Sequence, residues 1–362
     1  MKTTVIYSNK LQKYDFGQGH PFRSDRFNLF LRLFRKKLGN NESFALEENE
    51  NLATDEELGI WHTDEYIQAM RAASAGIDLP HLSRFASGDN LNPLTGLIPP
   101  GVEEGARAAV KNSIMAIDTI AQGTSEKAVS IGGGLHHAKA GYGEGFCIYN
   151  DVAIAARYAM KQYGISRVLV LDTDAHAGNG SCAAFYADPR VLFIDLHQAG
   201  IYPGTGAADE IGEGKAKGFT INLPLVAGTG DAAYRLIFDE VIFPVAAQFQ
   251  PELIIRYGGS DPHYQDSLTQ LGLTLAGFKM IGEKVRQLSE TVCGGKSADL
   301  ICSGYNLDVL PKAWICLLAA LGGAEIEFEQ EYPRRESEKV EETRKLIEQV
   351  QGNLRPFWKS MR

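Results

Sequence analysis

Two adjacent imidazoles, His136 and His137, follow a run of three glycines at 132–134, and an Asp-Thr-Asp-Ala-His string occupies 172–176. Each comes after an apolar run of strand length, the first after Ile131 and the second after Leu171. Gly-Gly-Ser-Asp, ending at Asp261, and Ser-Gly-Tyr, ending at Tyr305, follow two more such runs. Alternate residues of an extended segment point the same way, so Asp172, Asp174 and His176 line one side. Polar groups at the buried end of a strand are costly unless they are paired or coordinated. A divalent cation removes that cost. Asp174, His176 and Asp261 can supply the three ligands of a catalytic zinc or similar first-row metal, with a fourth position left for water. Such an ion draws the pKa of water down toward about 7. Nearby paired imidazoles can take and return the proton, and the Tyr305 hydroxyl suits the oxygen that becomes negative when a carbonyl is attacked. The residues therefore point to metal-assisted hydrolysis of an amide or ester.

Positioning these strings requires a particular frame. Short β-branched runs at 3–7, 127–131, 167–172, 191–196, 253–257 and 300–302 alternate with amphipathic stretches at 64–75, 103–122, 151–163, 230–249, 274–289 and 307–321. That alternation predicts an α/β domain with a mostly parallel central sheet between two layers of helices. Several runs lack polar alternation, as strands buried on both faces should. A further helix is predicted with Ser24 as its cap, Phe27, Phe30, Leu31, Phe34 and Leu38 on one face, and Gly39 as its stop. In an open α/β sheet, ligands sit outside the carboxyl ends of the strands, which is where the four strings fall. The stretch 76–101 is the longest unpatterned piece and is expected to shape the mouth of a site. A charged segment at 335–352 has a narrow stripe of Val340, Thr343, Ile347 and Val350, predicting a helix docked on the surface. With no repeat or linker, residues 1–362 are read as a single domain.

Composition removes other classes. The 36 Lys and Arg against 45 Asp and Glu give a net charge of −9. A nucleic-acid partner is excluded because phosphate binding rests on many cationic side chains. No apolar run is long enough for a membrane span, so the chain is expected to be soluble and cytoplasmic. Five cysteines, an odd number without C-x-x-C spacing, read as reduced thiols, with Cys147 and Cys182 as small buried hydrophobes. The glycine run does not complete a dinucleotide fingerprint, since His137 stands at its sixth place. The isolated His62, His81, His197 and His263 are read as hydrogen-bonded structural groups.

The motifs together resemble the zinc-dependent histone deacetylases and their acetoin-utilization relatives, of the arginase–deacetylase fold. The likeness covers FGQGHPFRSDR from Phe16, ATDEELGIWHTDEYI from Ala53, GGGLHHA from Gly132 and GEGFCIYNDVAIAA from Gly143. It continues through VLVLDTDAHAGNG from Val168, DPRVLFIDLH from Asp188, IYPGTG from Ile201, GGSD with Asp266 and LGLT, and SGYNL from Ser303. The resemblance implies that Asp174, His176 and Asp261 bind one zinc ion and that His137 protonates the leaving amine. Asp172 would orient His136, Asn179 would orient His137, and Tyr305 would polarise the acyl carbonyl. Gly145 and Phe146 would form one wall of an acyl-lysine tunnel opposite Tyr202, with Arg26 near a product-release channel. A potassium site would use Asp172, Asp174, the His176 carbonyl, Asp195 and Leu196. The implied substrate is an acyl-lysine protein or peptide, and hydroxamate-type inhibitors are expected to bind.

Departures refine that expectation. Ala177 stands where a second histidine is common, and three glycines precede the histidine pair, both in the manner of class IV and bacterial histone-deacetylase-like amidohydrolases. Asp195 takes a place often held by serine. Leu268 replaces the acidic gatekeeper of polyamine-selective members, favouring acyl-lysine over a small acetylated amine. An arginase-type dinuclear centre lacks a ligand at Gly178, and a catalytically idle acyl-lysine-binding scaffold is disfavoured by the presence of Tyr305.

Overall fold

A computed structural model describes residues 2–331 and 338–361. Eight strands form one sheet: β1 Thr3–Tyr7, β2 Phe44–Glu48, β3 Lys127–Ile131, β4 Val168–Asp172, β5 Val191–Gln198, β6 Thr220–Leu225, β7 Leu253–Gly258 and β8 Ser297–Ile301. Their order is β2-β1-β3-β8-β7-β4-β5-β6, and every ladder is parallel. All carboxyl ends therefore lie at one edge. The strands followed by the four polar strings, β3, β8, β7 and β4, are consecutive neighbours there.

The sheet is buried on both sides. Leu169 and Leu171 of β4 join one core while Val168 and Val170 join the other. The first core is completed by Phe27, Phe30 and Phe34 of the helix Asp25–Lys37 and by the helices Val102–Ala121, Leu275–Cys293 and Leu310–Leu321. The second is completed by Val152, Ala155, Ala156 and Ala159 of the helix Asp151–Tyr163. This three-layer arrangement is the expected α/β architecture.

Two strands escape the periodicity argument for physical reasons. β2 is an outer strand with a half-exposed FALEE sequence. β6 closes the other edge and carries Pro224, a residue that argues against a central strand and is tolerated at an edge. The stretch 230–249 is helical but interrupted: a π turn at Phe238–Ile242 separates Asp231–Ile237 from Phe243–Phe249. Pro244 lacks the N–H that would bond the Glu240 carbonyl, and that carbonyl accepts instead from Gln351 Nε2 at 3.3 Å.

Other boundaries also differ. Ser24 precedes its helix without a side-chain cap bond, and its Oγ donates to Asp15 Oδ2 at 2.6 Å. The final helix is Val340–Leu354 and not 335–352, of which 335–337 lie outside the described residues. It is docked more deeply than a surface stripe implies, since Thr343, Ile347, Val350 and Leu354 are all buried.

Candidate active site

The glycines after β3 allow a tight descent to the histidine pair; Gly132 and Gly134 have φ of 91° and 100°, which L side chains rarely adopt. The loop is then fastened from below. Asp151 accepts from the amides of Gly134 at 3.0 Å and Leu135 at 2.8 Å, and its other donor is Ser113 Oγ at 2.6 Å. Asn150 Nδ2 donates to the carbonyls of His136 and Ala138 at 3.2 and 3.1 Å. The side chains that follow are consequently held at both ends.

His136 Nδ1 lies 2.9 Å from Asp172 Oδ2, and His137 Nδ1 lies 2.8 Å from Asn179 Oδ1. Their Nε2 atoms face each other at 3.1 Å. Burial disfavours a charged His136, but Asp172 and Asp174 overcome it and raise its pKa to about 9. Burial and the neighbouring His136 and His176 push His137 well below its ordinary value. The pair is thus polarised, with His136 inclined to hold a proton and His137 to stay neutral. Burial and the facing Asp195, its register partner on β5, lift Asp172 to about 7.

Asp174, His176 and Asp261 bring three ligand atoms within 4.8 Å of one another. His176 Nδ1 stands 3.2 Å from Asp174 Oδ1 and 3.1 Å from Asp261 Oδ2. Burial and the adjacent Asp174 push Asp261 up to about 8. Against the same burial, His136 and hydrogen bonds from His176 and Asp261 hold Asp174 well below the usual carboxylate range. Two desolvated carboxylates around one imidazole concentrate acceptor charge that a divalent cation can neutralise, and one nitrogen with two oxygens is a donor set suited to zinc. The residues fit that ion. They fit potassium less well, because both Asp195 oxygens already have donors, the Gly178 amide at 2.9 Å and His197 Nδ1 at 2.8 Å.

Tyr305 enters from the loop after β8 and lines the same pocket as the histidine pair, Asp174 and His176. Its amide donates to Asp266 Oδ2 at 2.8 Å. Phe146 packs edge-on to its ring, with centroids 5.8 Å apart. Gly145 and Phe146 both take positive φ, 61° and 64°. At Gly145 a Cβ would collide with the His137 ring. At Phe146 the rare conformation is secured by Tyr14, whose hydroxyl donates to the Phe146 carbonyl at 2.6 Å and accepts from the Ile148 amide at 3.0 Å.

Tyr202 stands edge-on to His137 at 5.1 Å and is 41% exposed, which puts it at the rim. Leu268 is also at the surface, two residues beyond Asp266, while Thr269 donates to the Asp261 carbonyl. Arg26 is fully buried beneath the pocket. Its Nη1 donates to the Cys302 carbonyl at 2.9 Å and its guanidinium lies 5.5 Å from the Tyr305 ring centroid. Leu196 is a buried β5 residue. The stretch 76–101 does border the site, through Asp89 Oδ2, which accepts from the Gly145 amide at 3.1 Å.

Sequence reasoning missed Tyr14, Glu144, Asn150, Asp151, Asp266 and Ser303 as supports. Asn150 carried a local signal as a helix cap that accepts from the Ala153 amide, and Ser303 and Asp266 lay in motifs that gave no sign of a supporting role. Of the isolated histidines, His62, His197 and His263 are buried and hydrogen-bonded. His81 is exposed instead. Cys147 is buried, and Cys182 is partly exposed.

The profile of the histone deacetylase domain matches residues 20–321. The acetoin utilization protein AcuC of Bacillus subtilis (strain 168) is 37% identical over 86% of this chain and 80% of its own length. That of Staphylococcus xylosus is 36% identical over 89% and 83%. The solved HD domain of HDA15 superposes with a TM-score of 0.85 at 27% identity, covering 100% of this chain and 98% of that one.

Proposed function

The chain belongs to the histone deacetylase family, and from that premise we propose a zinc-dependent hydrolase that removes acetyl or longer acyl groups from lysine side chains of proteins or peptides. One observation carries the reading: the facing Nε2 atoms of His136 and His137, 3.1 Å apart, share a pocket with Asp174, His176 and Tyr305. Zinc, held by Asp174, His176 and Asp261, supplies Lewis acidity toward water and the acyl carbonyl.

The remaining steps belong to side chains of this protein. Beside a proton-holding His136, the inward Nε2 of His137 accepts a proton from water and returns one to the departing amine nitrogen. The Tyr305 hydroxyl donates to the acyl oxygen as charge develops there. Phe146 and Tyr202 flank the aliphatic stem of the substrate, and the narrow floor left by Gly145 keeps that stem against His137. Hydroxamates, which present adjacent oxygens to a metal, should bind in the same place. The whole of 1–362 acts as one catalytic domain. Five free thiols suit a reducing compartment, so we place the enzyme in the cytoplasm. No described helix is long and apolar enough to cross a membrane.

The test is a panel of acetyl-lysine peptide, longer fatty-acyl-lysine peptides and an acetylated polyamine, run on zinc-loaded protein. Hydrolysis of an acyl-lysine peptide, with a loss of about a hundredfold or more in Tyr305→Phe, is the expected result. Turnover confined to the polyamine would move the substrate assignment, and hydroxamate binding without any turnover would support a scaffold.

A further inference from the structure

An amide side chain can offer a histidine either an acceptor oxygen or a donor nitrogen, and which one it offers decides which ring nitrogen carries hydrogen. Asn179 turns Oδ1 to His137 Nδ1 at 2.8 Å and Nδ2 to Glu144 Oε1 at 2.9 Å. We propose that Glu144 is a positioning residue that sets the tautomer of His137 through Asn179. The inference rests on the proton-transfer role given to His137 above.

The geometry leaves little freedom. A carboxylate is an acceptor only, so the Asn179 nitrogen must face Glu144 and the oxygen must face His137. Lys139 Nζ lies 2.9 Å from the same Glu144 oxygen and anchors it. Both residues sit on one short loop, closed by bridges between Lys139 and Tyr142 and between Glu144 and Cys147. With Asn179 Oδ1 against it, His137 carries hydrogen on Nδ1 and keeps the Nε2 lone pair toward His136 Nε2. A turned amide would place N–H against Nδ1, favour hydrogen on Nε2, and leave the inward nitrogen unable to accept. Asn179 alone cannot prevent that turn, because its two ends are nearly the same shape. Glu144 can.

The test pairs spectroscopy with rescue, on zinc-loaded, full-length protein. Long-range ¹H–¹⁵N spectra of the histidine rings should show His137 with hydrogen on Nδ1 in the native protein and a population with hydrogen on Nε2 in Glu144→Ala. For acyl-lysine hydrolysis, Glu144→Ala should lower kcat by about tenfold or more with KM little changed, in the range found when an outer hydrogen-bond partner is lost. Glu144→Gln, whose Oε1 can still accept, should stay within about threefold of native. Asn179→Asp has two equivalent oxygens and nothing to orient, so adding Glu144→Ala to it should cost no further kcat. A tautomer unchanged in Glu144→Ala, or a full additional loss in the double variant, overturns the proposal in favour of a loop-stabilising role. The ring spectra need no turnover, so absence of native deacylation would count against the proposed function and leave this inference to be judged by the spectra.

Discussion

Arg256 on β7 and Asp299 on β8 are register partners, both fully buried, with Nη1 to Oδ1 at 2.8 Å. The same guanidinium donates through Nε and Nη2 to Thr173 Oγ1, at 2.9 and 2.6 Å. Thr173 stands between Asp172 and Asp174, so an ion pair in the core reaches the backbone that presents two of the site's carboxylates. Removing one partner of a buried pair leaves an uncompensated charge and costs about 3–5 kcal/mol. Asp299→Ala should lower the unfolding free energy by about that amount, while Arg256→Met with Asp299→Leu should recover a large part of it. Denaturant titration of both variants decides the point. A double variant as unstable as the single one would mean that Thr173 anchoring, and not charge compensation, is the pair's contribution.

His62 supplies a pH dependence outside the Asp174, His176 and Asp261 cluster. Its Nε2 accepts from the Asn150 amide at 2.9 Å and its Nδ1 meets the Ala140 carbonyl at 3.3 Å, a pattern that the neutral ring satisfies. Burial lowers its pKa from 6.5 to about 3. The folded state therefore binds the proton less readily than the unfolded chain. Its contribution is complete above pH 6.5 and is lost as the pH falls from there toward 3. The native protein should lose about 1.4 kcal/mol per pH unit more than His62→Gln between about pH 6 and 4. Parallel stability curves for the two proteins would show that the site is solvated or already protonated.

The contrast between what could and could not be read in the sequence follows from how local each signal is. His136, His137, Asp174, His176, Asp261 and Tyr305 each follow an apolar run directly, and parallel pairing carries all of those ends to one edge. Asp266 has no such pattern, and Ser303, although it directly follows the run at 300–302, carries no local sign that it holds the Asp261 carboxylate. Asp266 becomes a support for Tyr305 only because two loops meet, at 2.8 Å. Pro224 and the paired glutamates of β2 likewise obscured the edge strands, because an edge strand has one ladder and tolerates residues that an inner strand does not.

Trp358, beyond the final helix, gives a test of the chain's far end. Its Nε1 donates to the Gly218 carbonyl at 2.6 Å, and its ring packs 5.1 Å from Phe219 and 6.3 Å from Phe249. Phe219 immediately precedes β6, which puts this cluster at the amino edge of the sheet, opposite the site. Trp358→Ala should cost about 3–5 kcal/mol through lost burial. Trp358→Phe should cost roughly 1–2 kcal/mol, chiefly the hydrogen bond. At temperatures where each variant remains folded, kcat should match the native value. A fall in kcat for folded Trp358→Phe would mean that the tail communicates with the site.

Ser303 offers a way to test the metal assignment without deleting a ligand. Its Oγ donates to Asp261 Oδ1 at 2.9 Å, while Asp261 Oδ2 faces His176 at 3.1 Å. The hydroxyl thus holds the carboxylate with one oxygen turned toward the ligand cluster. Loss of such an outer partner typically weakens metal binding by about 10–100-fold. Ser303→Ala should therefore still bind one zinc ion per chain, but release it to a competing chelator at correspondingly lower concentration. Asp261→Asn, with a neutral ligand in place of a carboxylate, should lose the ion under conditions where Ser303→Ala retains it. Calorimetric or chelator-competition titration measures both. Equal zinc affinity in native protein and Asp261→Asn would remove Asp261 from the ligand set, and equal affinity in native protein and Ser303→Ala would reduce Ser303 to a packing role.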